Sequence, residues 1–241
     1  MKLAECAAAA ESITRRSRSL GLTRIEDPQP LDDGPYLDYA WPVESSAPFE
    51  PFTAPARRAF VDVFEKRRST RTLSPAPLEL TVGALLFALA PRFWKEGDAL
   101  RRSRRPALSA GAIHPISVLL FDKSAVFRVN ADSCMLEKLT FPSEVHDAWV
   151  SKCQQVLPSA NGALLTLVAD MARPMSAYAR SETLVWRDAG ATLQTLALVA
   201  ELFSLGFCPL GILGNEVVAA LPSGEQLLAV GAAAIGLPVQ D

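Results

Sequence analysis

The sequence predicts an α+β fold, because helices and strands mix without the strict alternation that a doubly wound parallel sheet requires. Two apolar runs joined by a short polar turn indicate a β-hairpin, a long apolar helix follows later in the chain, and no segment is repeated. With 241 residues, of which 49% are hydrophobic, the chain is long enough to bury a sizeable core.

Residues 1–56 differ from the rest and are predicted to form an N-terminal arm. A short Ala-rich helix is expected at 3–20, followed by an acidic run whose prolines preclude long regular elements. Aromatic residues in that run argue against simple disorder. We expect the arm to wrap the surface of the body or of a partner subunit. Residues 57–241 are then the main domain.

Regular patterns begin after the arm. Pro77 is preorganised for a first helical position, and Gly206 is placed as the left-handed C-cap of the long helix. Near-continuous apolarity at 193–199 implies that this helix is buried in the domain centre or at a subunit interface. The predicted helices are 56–66, 77–90, 131–140, 142–157, 182–205 and 215–221, and the predicted strands are 116–121, 125–129, 163–169 and 226–235.

Composition excludes several classes of function. A net charge of −2 and a pI of about 5.8 give no basic field for a nucleic acid. No apolar stretch approaches the roughly 18–20 residues of a membrane-spanning helix. Four scattered cysteines and two distant histidines form no metal-ligand pattern, and residues 6–10 are too short for a signal-peptide core. We therefore expect a cytoplasmic protein without metal, nucleic acid or membrane.

A cationic turn (residues 67–71) follows the first predicted helix of the body. Arg67, Ser69 and Arg71 occupy alternating positions, so in an extended chain their side chains point the same way. Two guanidinium groups and a hydroxyl on one side make an anion site. The alternative is a solvated helix end whose cations offset the helix dipole.

A small-residue segment (residues 109–112) precedes the hairpin. Small residues beside a strand let a flat ligand lie against the backbone, although the same pattern is found in a tight turn that feeds a core strand. His114, just after it, is either a hydrogen-bonding group at a ligand edge or a packed imidazole.

Residues 207–211, after the long helix, are predicted to form a loop. Its proline and glycine fix a sharp path and leave N–H groups free to meet the polar edge of a heterocycle. Cys208 in this loop is more simply a small buried hydrophobe than a nucleophile. Asp188 is expected to complement the dipole at the start of the long helix, and His146 to lie on the surface.

Taken in order, these segments resemble the nitroreductase superfamily of FMN-dependent oxidoreductases, most closely its SagB/thiazoline-oxidase type of dehydrogenase. The similarity covers roughly residues 57–238. The segments that carry it are 66–71, similar to the Arg-x-Ser-x-Arg/Lys motif; 105–115, similar to Arg-Pro-x-x-Ser-Ala-Gly-Ala-x-His/Tyr-Pro; 188–194, similar to Asp-Ala-Gly-x-x-x-Gln; the loop 205–211; and the closing strand 226–238.

The resemblance implies a central, mainly antiparallel sheet wrapped by helices, and a homodimer with FMN in a cleft at the interface. It also implies ping-pong hydride transfer through flavin N5, with the protein supplying orientation and electrostatics. The residues that it places at the cofactor are Arg67, Arg68, Ser69, Arg71, Ser109, Ala110, Gly111, Ala112, Pro209, Leu210 and Gly211, with His114 on the substrate side.

Two departures bear on activity. Azoline-oxidising members use a Lys-Tyr pair before the long helix, whereas here Tyr178, the candidate catalytic residue, has no preceding lysine. The C-terminal Lys-x-Arg that many nitroreductases add to the phosphate site is missing. The resemblance implies an FMN-dependent oxidoreductase acting on a small-molecule or peptide-borne substrate, as in natural-product or ribosomal-peptide tailoring. The alternative is a binding or scaffold subunit that has lost turnover.

Overall fold

The computed structural model describes residues 26–49 and 58–239, which contain six α-helices and twelve β-strands. The helices are α1 (Phe60–Lys66), α2 (Leu78–Leu89), α3 (Ser143–Val156), α4 (Ala172–Ala177), α5 (Glu182–Leu202) and α6 (Asn215–Ala219). The strands are β1 (Gln29–Pro30), β2 (Val43–Pro48), β3 (Leu73–Ser74), β4 (Phe93–Trp94), β5 (Ser103–Arg104), β6 (Ile116–Asp122), β7 (Ala125–Asn130), β8 (Met135–Leu139), β9 (Ala163–Asp170), β10 (Tyr178–Ala179), β11 (Gly206–Leu210) and β12 (Leu227–Pro238). The helix predicted at 3–20 lies outside the described residues.

An eight-stranded sheet forms the centre of the molecule. Its strand order is β11-β12-β9-β6-β7-β8-β2, with β3 paired to one end of β12. Every strand pair in it is antiparallel. The predicted α+β fold with a mainly antiparallel central sheet is confirmed.

Helices cover both faces of the sheet. In β6, Val118 and Leu120 belong to the apolar cluster that includes α2 and α5, whereas Leu119 and Phe121 belong to the cluster that includes α3 and α6. Side chains alternate between the faces of a strand, so a strand buried on both faces must be apolar throughout. This explains the unbroken apolar run of the central strands, and α5 lies at the centre of the first layer.

The described part of the N-terminal arm lies against the body. Strand β2 forms the edge of the central sheet beside β8, and β1 pairs with β10. Between them, Tyr39 is buried and its hydroxyl donates to the carbonyl of Pro222 at 2.5 Å. Arg173 of α4 forms a two-pronged ion pair with Asp38, at 2.7 and 3.0 Å.

Three predictions about local structure were wrong. The helix predicted at 131–140 is strand β8, because pairing with β7 on one side and β2 on the other outweighs the helix propensity of Leu, Glu, Lys and Met. The segment 207–211 is mostly the sheet strand β11 rather than a loop. The left-handed residue after α5 is Ser204, with φ of 57°, and not Gly206, which begins β11.

Within the described ranges, no helix is both long and apolar enough to cross a membrane. In the same part of the chain, histidine, cysteine and acidic side chains form no group of three or more that would hold a metal ion.

Candidate functional site

The cationic turn packs against strand β11. Ser69 forms a parallel bridge with Phe207, and the N–H of Thr70 donates to the carbonyl of Phe207 at 3.0 Å. The backbone at Arg67 is extended, with φ of −57° and ψ of 120°. The backbone is therefore extended at Arg67 and bridged to β11 at Ser69, which is the form in which alternating side chains are expected to share a side.

Gly206 makes this close packing of the turn possible. A Cβ atom at Gly206 would lie 2.5 Å from Cδ2 of Leu73 and 2.9 Å from Cγ2 of Thr70, both closer than atoms can pack. The position needs glycine because the turn approaches the strand closely there, and not because of a left-handed backbone conformation.

The arginines of the turn have no acidic partner among the described residues. Within residues 26–49 and 58–239, no side chain forms a hydrogen bond or ion pair with the guanidinium group of Arg67, Arg68 or Arg71. Elsewhere arginines have acidic partners, for example Arg58 with Glu201 at 3.0 Å. Guanidinium groups without a described partner, beside an exposed hydroxyl, are the groups that an anion site requires.

The strand beside the turn contributes backbone and a thiol. Pro209 and Gly211 are exposed and Leu210 is buried. Cys208 is 6% exposed, and burial raises the pKa of its thiol, against an opposing effect of Arg71. The thiol is thus protonated and packed, as expected of a small hydrophobe.

The small-residue segment has an unusual backbone. Gly111, Ala112 and His114 have positive φ values of 60°, 57° and 51°. Such angles are costly for residues with a Cβ atom, and they persist only where the surroundings fix them. Gly111 is exposed, so the turn presents its backbone at the surface.

Asp188 fixes this turn from helix α5. Its carboxylate accepts a 2.5 Å hydrogen bond from the hydroxyl of Ser109 and a 2.9 Å bond from the N–H of Ala110. The hydroxyl of Ser109 accepts in turn from the N–H of His114 at 2.8 Å. The predicted dipole role of Asp188 was wrong: α5 begins at Glu182, which is the first-turn acid, and Asp188 lies further along, buried.

Replacing Asp188 by alanine is expected to lower the free energy of unfolding by about 2 kcal/mol, because two donors of the turn lose their acceptor. Asp188→Asn retains an acceptor for Ala110 and should cost less. Urea denaturation measures both effects, with Glu182→Ala as an exposed control on the same helix. An Asp188→Ala protein as stable as the wild type would refute the assigned role.

His114 is a neutral, half-buried imidazole. Burial, and after it the nearby positive charge of Arg105, lower its pKa from the ordinary 6.5 to about 4. Its Nε2 atom lies 2.8 Å from the carbonyl oxygen of Ser103, so Nε2 carries the proton and donates. Nδ1 is then the atom with the free lone pair.

His114 should make stability depend on pH. Its pKa in the folded state lies below the unfolded value, so its contribution is complete above pH 6.5 and is lost as the pH falls toward 4. Burial raises the pKa of Asp188, which acts in the opposite direction. We expect the melting temperature of the wild type to fall more over this range than that of His114→Gln. Parallel pH profiles for the two proteins would contradict the assignment.

Tyr178 contacts the small-residue segment. A Cβ atom on Gly111 would lie 2.7 Å from the Tyr178 hydroxyl oxygen, so the phenol covers the glycine. Tyr178 is half-buried and lies in β10, next to the arm strand β1. The candidate catalytic tyrosine and the small-residue segment are therefore neighbours.

The two halves of the predicted site lie at opposite ends of the sheet. The cationic turn is held by Phe207 of β11, which pairs with Ile235 of β12. The small-residue segment leads into Ile116 of β6, which pairs with Ala169 of β9. Ala169 in turn pairs with Leu228 of β12. Ile235 and Leu228 are seven residues apart on β12, which is about 23 Å at ~3.3 Å per residue. One chain therefore brings the cationic turn together with β11. It also brings Ser109–Gly111 together with Tyr178 and His114, but the two groups remain apart.

His146 is buried, contrary to the surface position predicted for it. It is 5% exposed and packs on the ring of Phe121, with 5.7 Å between ring centroids. Helix α3 lies on the sheet with the face that also carries Trp149, and His146 shares that face because it is three residues away.

Comparison with known proteins shows similarity in structure alone, since no family model and no curated protein matches the sequence. A protein of Ralstonia eutropha assigned to the nitroreductases is 15% identical, with 90% of this chain and 100% of that chain covered and a TM-score of 0.59. An Anabaena variabilis protein with the same assignment is 17% identical, over 81% of this chain and 42% of that one, with a TM-score of 0.60. The chain has a nitroreductase-like fold.

The nitroreductase-like fold also occurs in the Escherichia coli microcin synthetase McbBCD, whose structure contains a bound truncated pro-MccB17. A chain of that complex is 17% identical, with 82% of this chain and 79% of that chain covered and a TM-score of 0.51. At these identities the similarity establishes the fold, and the roles of single residues must come from the geometry above.

Sequence reasoning missed the anchoring role of Asp188. The signal was present, because a carboxylate on an apolar helix face needs hydrogen-bond donors, and the small-residue segment has free N–H groups. No local pattern in the sequence predicts the ion pair of Asp38 with Arg173, since 135 residues separate the two.

Proposed function

We propose that the protein is an FMN-dependent oxidoreductase that acts on a small-molecule or peptide-borne substrate. The observation that carries the proposal is the cationic turn: three arginines that have no acidic partner in the described part of the chain, and a serine held on β11 of a nitroreductase-like fold. A dianionic phosphate monoester is the part of FMN that such a turn would bind.

Two groups of residues in this chain would bind different parts of FMN. Arg67, Arg68 and Arg71 would hold the phosphate, with the hydroxyl of Ser69 on the ribityl chain. The exposed backbone of Pro209–Gly211 would cover the ring system, and the small-residue segment would form its opposite wall. When bound, the flavin supplies hydride transfer at N5.

We further propose that two copies of the chain form a homodimer and share each flavin. Because the strand positions next to the two halves of the site are separated by about 23 Å along β12, at ~3.3 Å per residue, each flavin would take the cationic turn of one copy and the small-residue segment of the other. Twofold symmetry would then create two equal sites. Helix α5 offers a surface for this contact, since Trp186 is 43% exposed and Gly190 has open space around its Cα.

Near the small-residue segment, two side chains can handle protons. The Tyr178 hydroxyl lies beside Gly111 at the surface and can donate or accept a proton at Oη. His114 is neutral at pH 7, and its free Nδ1 can accept a hydrogen bond from a substrate. Asp188, through Ser109, holds both the segment and the His114 backbone in place.

A peptide-borne substrate is supported by the likeness to the microcin synthetase chain, whose complex holds a peptide. A second candidate, a scaffold subunit without turnover, is favoured by the absence of a lysine before Tyr178. In the scaffold case the cationic turn would serve a structural anion.

The visible absorption spectrum of the purified protein, before and after addition of FMN, tests the proposal. Flavin bands that persist after gel filtration support the oxidoreductase, and anaerobic reduction by NADH or NADPH then separates a reductase from a dehydrogenase. A colourless protein that takes up no FMN would contradict the proposal.

A further inference from the structure

A cavity lies between the N-terminal arm and the sheet. It has a volume of about 380 Å³ and is lined by polar side chains from the arm, β7, α4 and the loops around them. Its charged and basic lining residues include Arg101, Arg105, Arg128, Arg173, His114 and Asp38. A volume of this size accommodates a molecule as large as an amino-acid derivative.

Guanidinium groups crowd one wall of this cavity. The Arg105 side chain is 7% exposed and the Arg173 side chain 9%. All three arginines line the same cavity. Burial lowers the pKa of Arg105, Asp132 opposes that effect, and the charges of Arg173 and Arg101 act in the same direction as burial. Arg173 and Arg105 also lower the pKa of His114.

The carboxylates in the wall offset these cations only in part. Asp170 accepts hydrogen bonds from three neutral groups: the N–H of Tyr39 at 2.7 Å, the N–H of Ala172 at 3.0 Å and Nε2 of Gln226 at 3.1 Å. The remaining arginine of the lining, Arg128, pairs with Glu137 at 2.8 Å. Arg101, Arg105 and Arg173 are thus left with two carboxylates, Asp132 and Asp38.

Those two carboxylates do not saturate the three arginines. Arg105 lies 2.6 Å from Asp132, but Arg101 reaches the same carboxylate only at 4.0 Å, and the Arg101 side chain is 53% exposed. Asp38 belongs to the arm, and its side chain is 45% exposed although the arginine that it meets is buried. An exposed carboxylate on a buried arginine is one that another carboxylate can replace.

We propose that this cavity binds a small molecule through a carboxylate group, held by Arg101 and Arg173 beside the Arg105 guanidinium. The carboxylate of Asp38 already occupies part of this position, so the carboxylate of the ligand competes with it for Arg173. The site is distinct from the cationic turn and does not require bound flavin. His114 lines this cavity and also follows the small-residue segment, so a ligand here would lie next to the proposed flavin wall.

Calorimetric titration of the full-length protein at pH 7 tests this proposal with three probes at constant ionic strength. The probes are N-acetylglycine, its neutral amide N-acetylglycinamide, and inorganic phosphate. We expect the acid to bind at least tenfold more tightly than the amide and than phosphate. Equal affinity for acid and amide, or no binding of the acid, would overturn the proposal, and preferential binding of phosphate would overturn the choice of a carboxylate.

Two variants should change the affinity for N-acetylglycine in opposite directions. Arg101→Gln is expected to weaken it about tenfold, as the loss of one charge-assisted hydrogen bond does. Asp38→Asn removes the internal competitor and should strengthen it several-fold. Arg92→Gln, an exposed arginine outside the lining, is the matched control and should leave it unchanged. Weaker or unaltered binding by Asp38→Asn would refute the competition.

Discussion

Replacing Arg67 and Arg71 together by alanine is expected to leave a folded protein that no longer retains flavin. Each charge-assisted hydrogen bond to phosphate contributes about 1.5–3 kcal/mol, so losing one from each arginine weakens binding by roughly 10²–10⁴-fold. Neither guanidinium group forms a hydrogen bond or ion pair with another described side chain, so the fold loses little. The ratio of flavin to protein absorbance, after gel filtration, measures the effect.

The matched control removes two positive charges elsewhere. Arg92→Ala with Lys138→Ala takes one exposed arginine and one lysine whose only described ion pair is with the exposed Glu44. This double variant should retain flavin as the wild type does. Unchanged flavin occupancy in the Arg67/Arg71 variant would refute the phosphate assignment, and loss of flavin in both would show that net charge alone is responsible.

Gly111→Ala is expected to have the second largest effect, on the other half of the site. A Cβ atom there would meet the Tyr178 hydroxyl oxygen at 2.7 Å. The φ of 60° adds a strain of about 1–2 kcal/mol for any residue other than glycine. The turn should shift, and FMN affinity should fall about tenfold.

The substitution Tyr178→Phe separates the steric clash with the hydroxyl from the strain of the positive φ. Removing the hydroxyl leaves the nearest ring atoms 3.4 and 3.5 Å from the new Cβ, an ordinary contact. Gly111→Ala with Tyr178→Phe should therefore regain part of the affinity, while Tyr178→Phe alone retains flavin. Fluorescence titration with FMN provides the dissociation constants. If Gly111→Ala binds FMN as tightly as the wild type, the small-residue segment does not form a wall of the site.

The sequence predicted those parts of the fold that depend on local pattern. The hairpin of β6 and β7 has alternating burial and a short polar turn, and α5 has a long apolar stretch, so both were found within a few residues of their ends. Strand β8 was missed because its residues favour a helix and its strand state comes from pairing with β2 of the arm. Such pairing joins residues far apart in sequence and leaves no local signal.

The candidate site was predictable in composition but not in arrangement. The cationic turn and small-residue segment were both identified, and the extended backbone at Arg67 agrees with the alternation of side chains. Their separation depends on the register of β6, β9, β12 and β11, which the sequence does not show. Asp188 was given a helix-dipole role although the predicted helix already began at 182, because its partners Ser109 and Ala110 lie 79 and 78 residues away and leave no local signal of this contact.

Complementation between two defective variants shows whether two chains share one flavin. One chain carries Arg67→Ala and Arg71→Ala, and the other carries Gly111→Val, a β-branched residue at a positive φ. Co-expression with different affinity tags and two successive purifications isolates the mixed dimer, whose visible spectrum gives the flavin content.

Each variant purified alone should be nearly colourless. The mixed dimer should hold half the FMN of the wild-type dimer, because it contains one site built from two intact halves. A colourless mixed dimer, or the failure of the two tagged chains to co-purify, would contradict a flavin site shared between two copies of the chain.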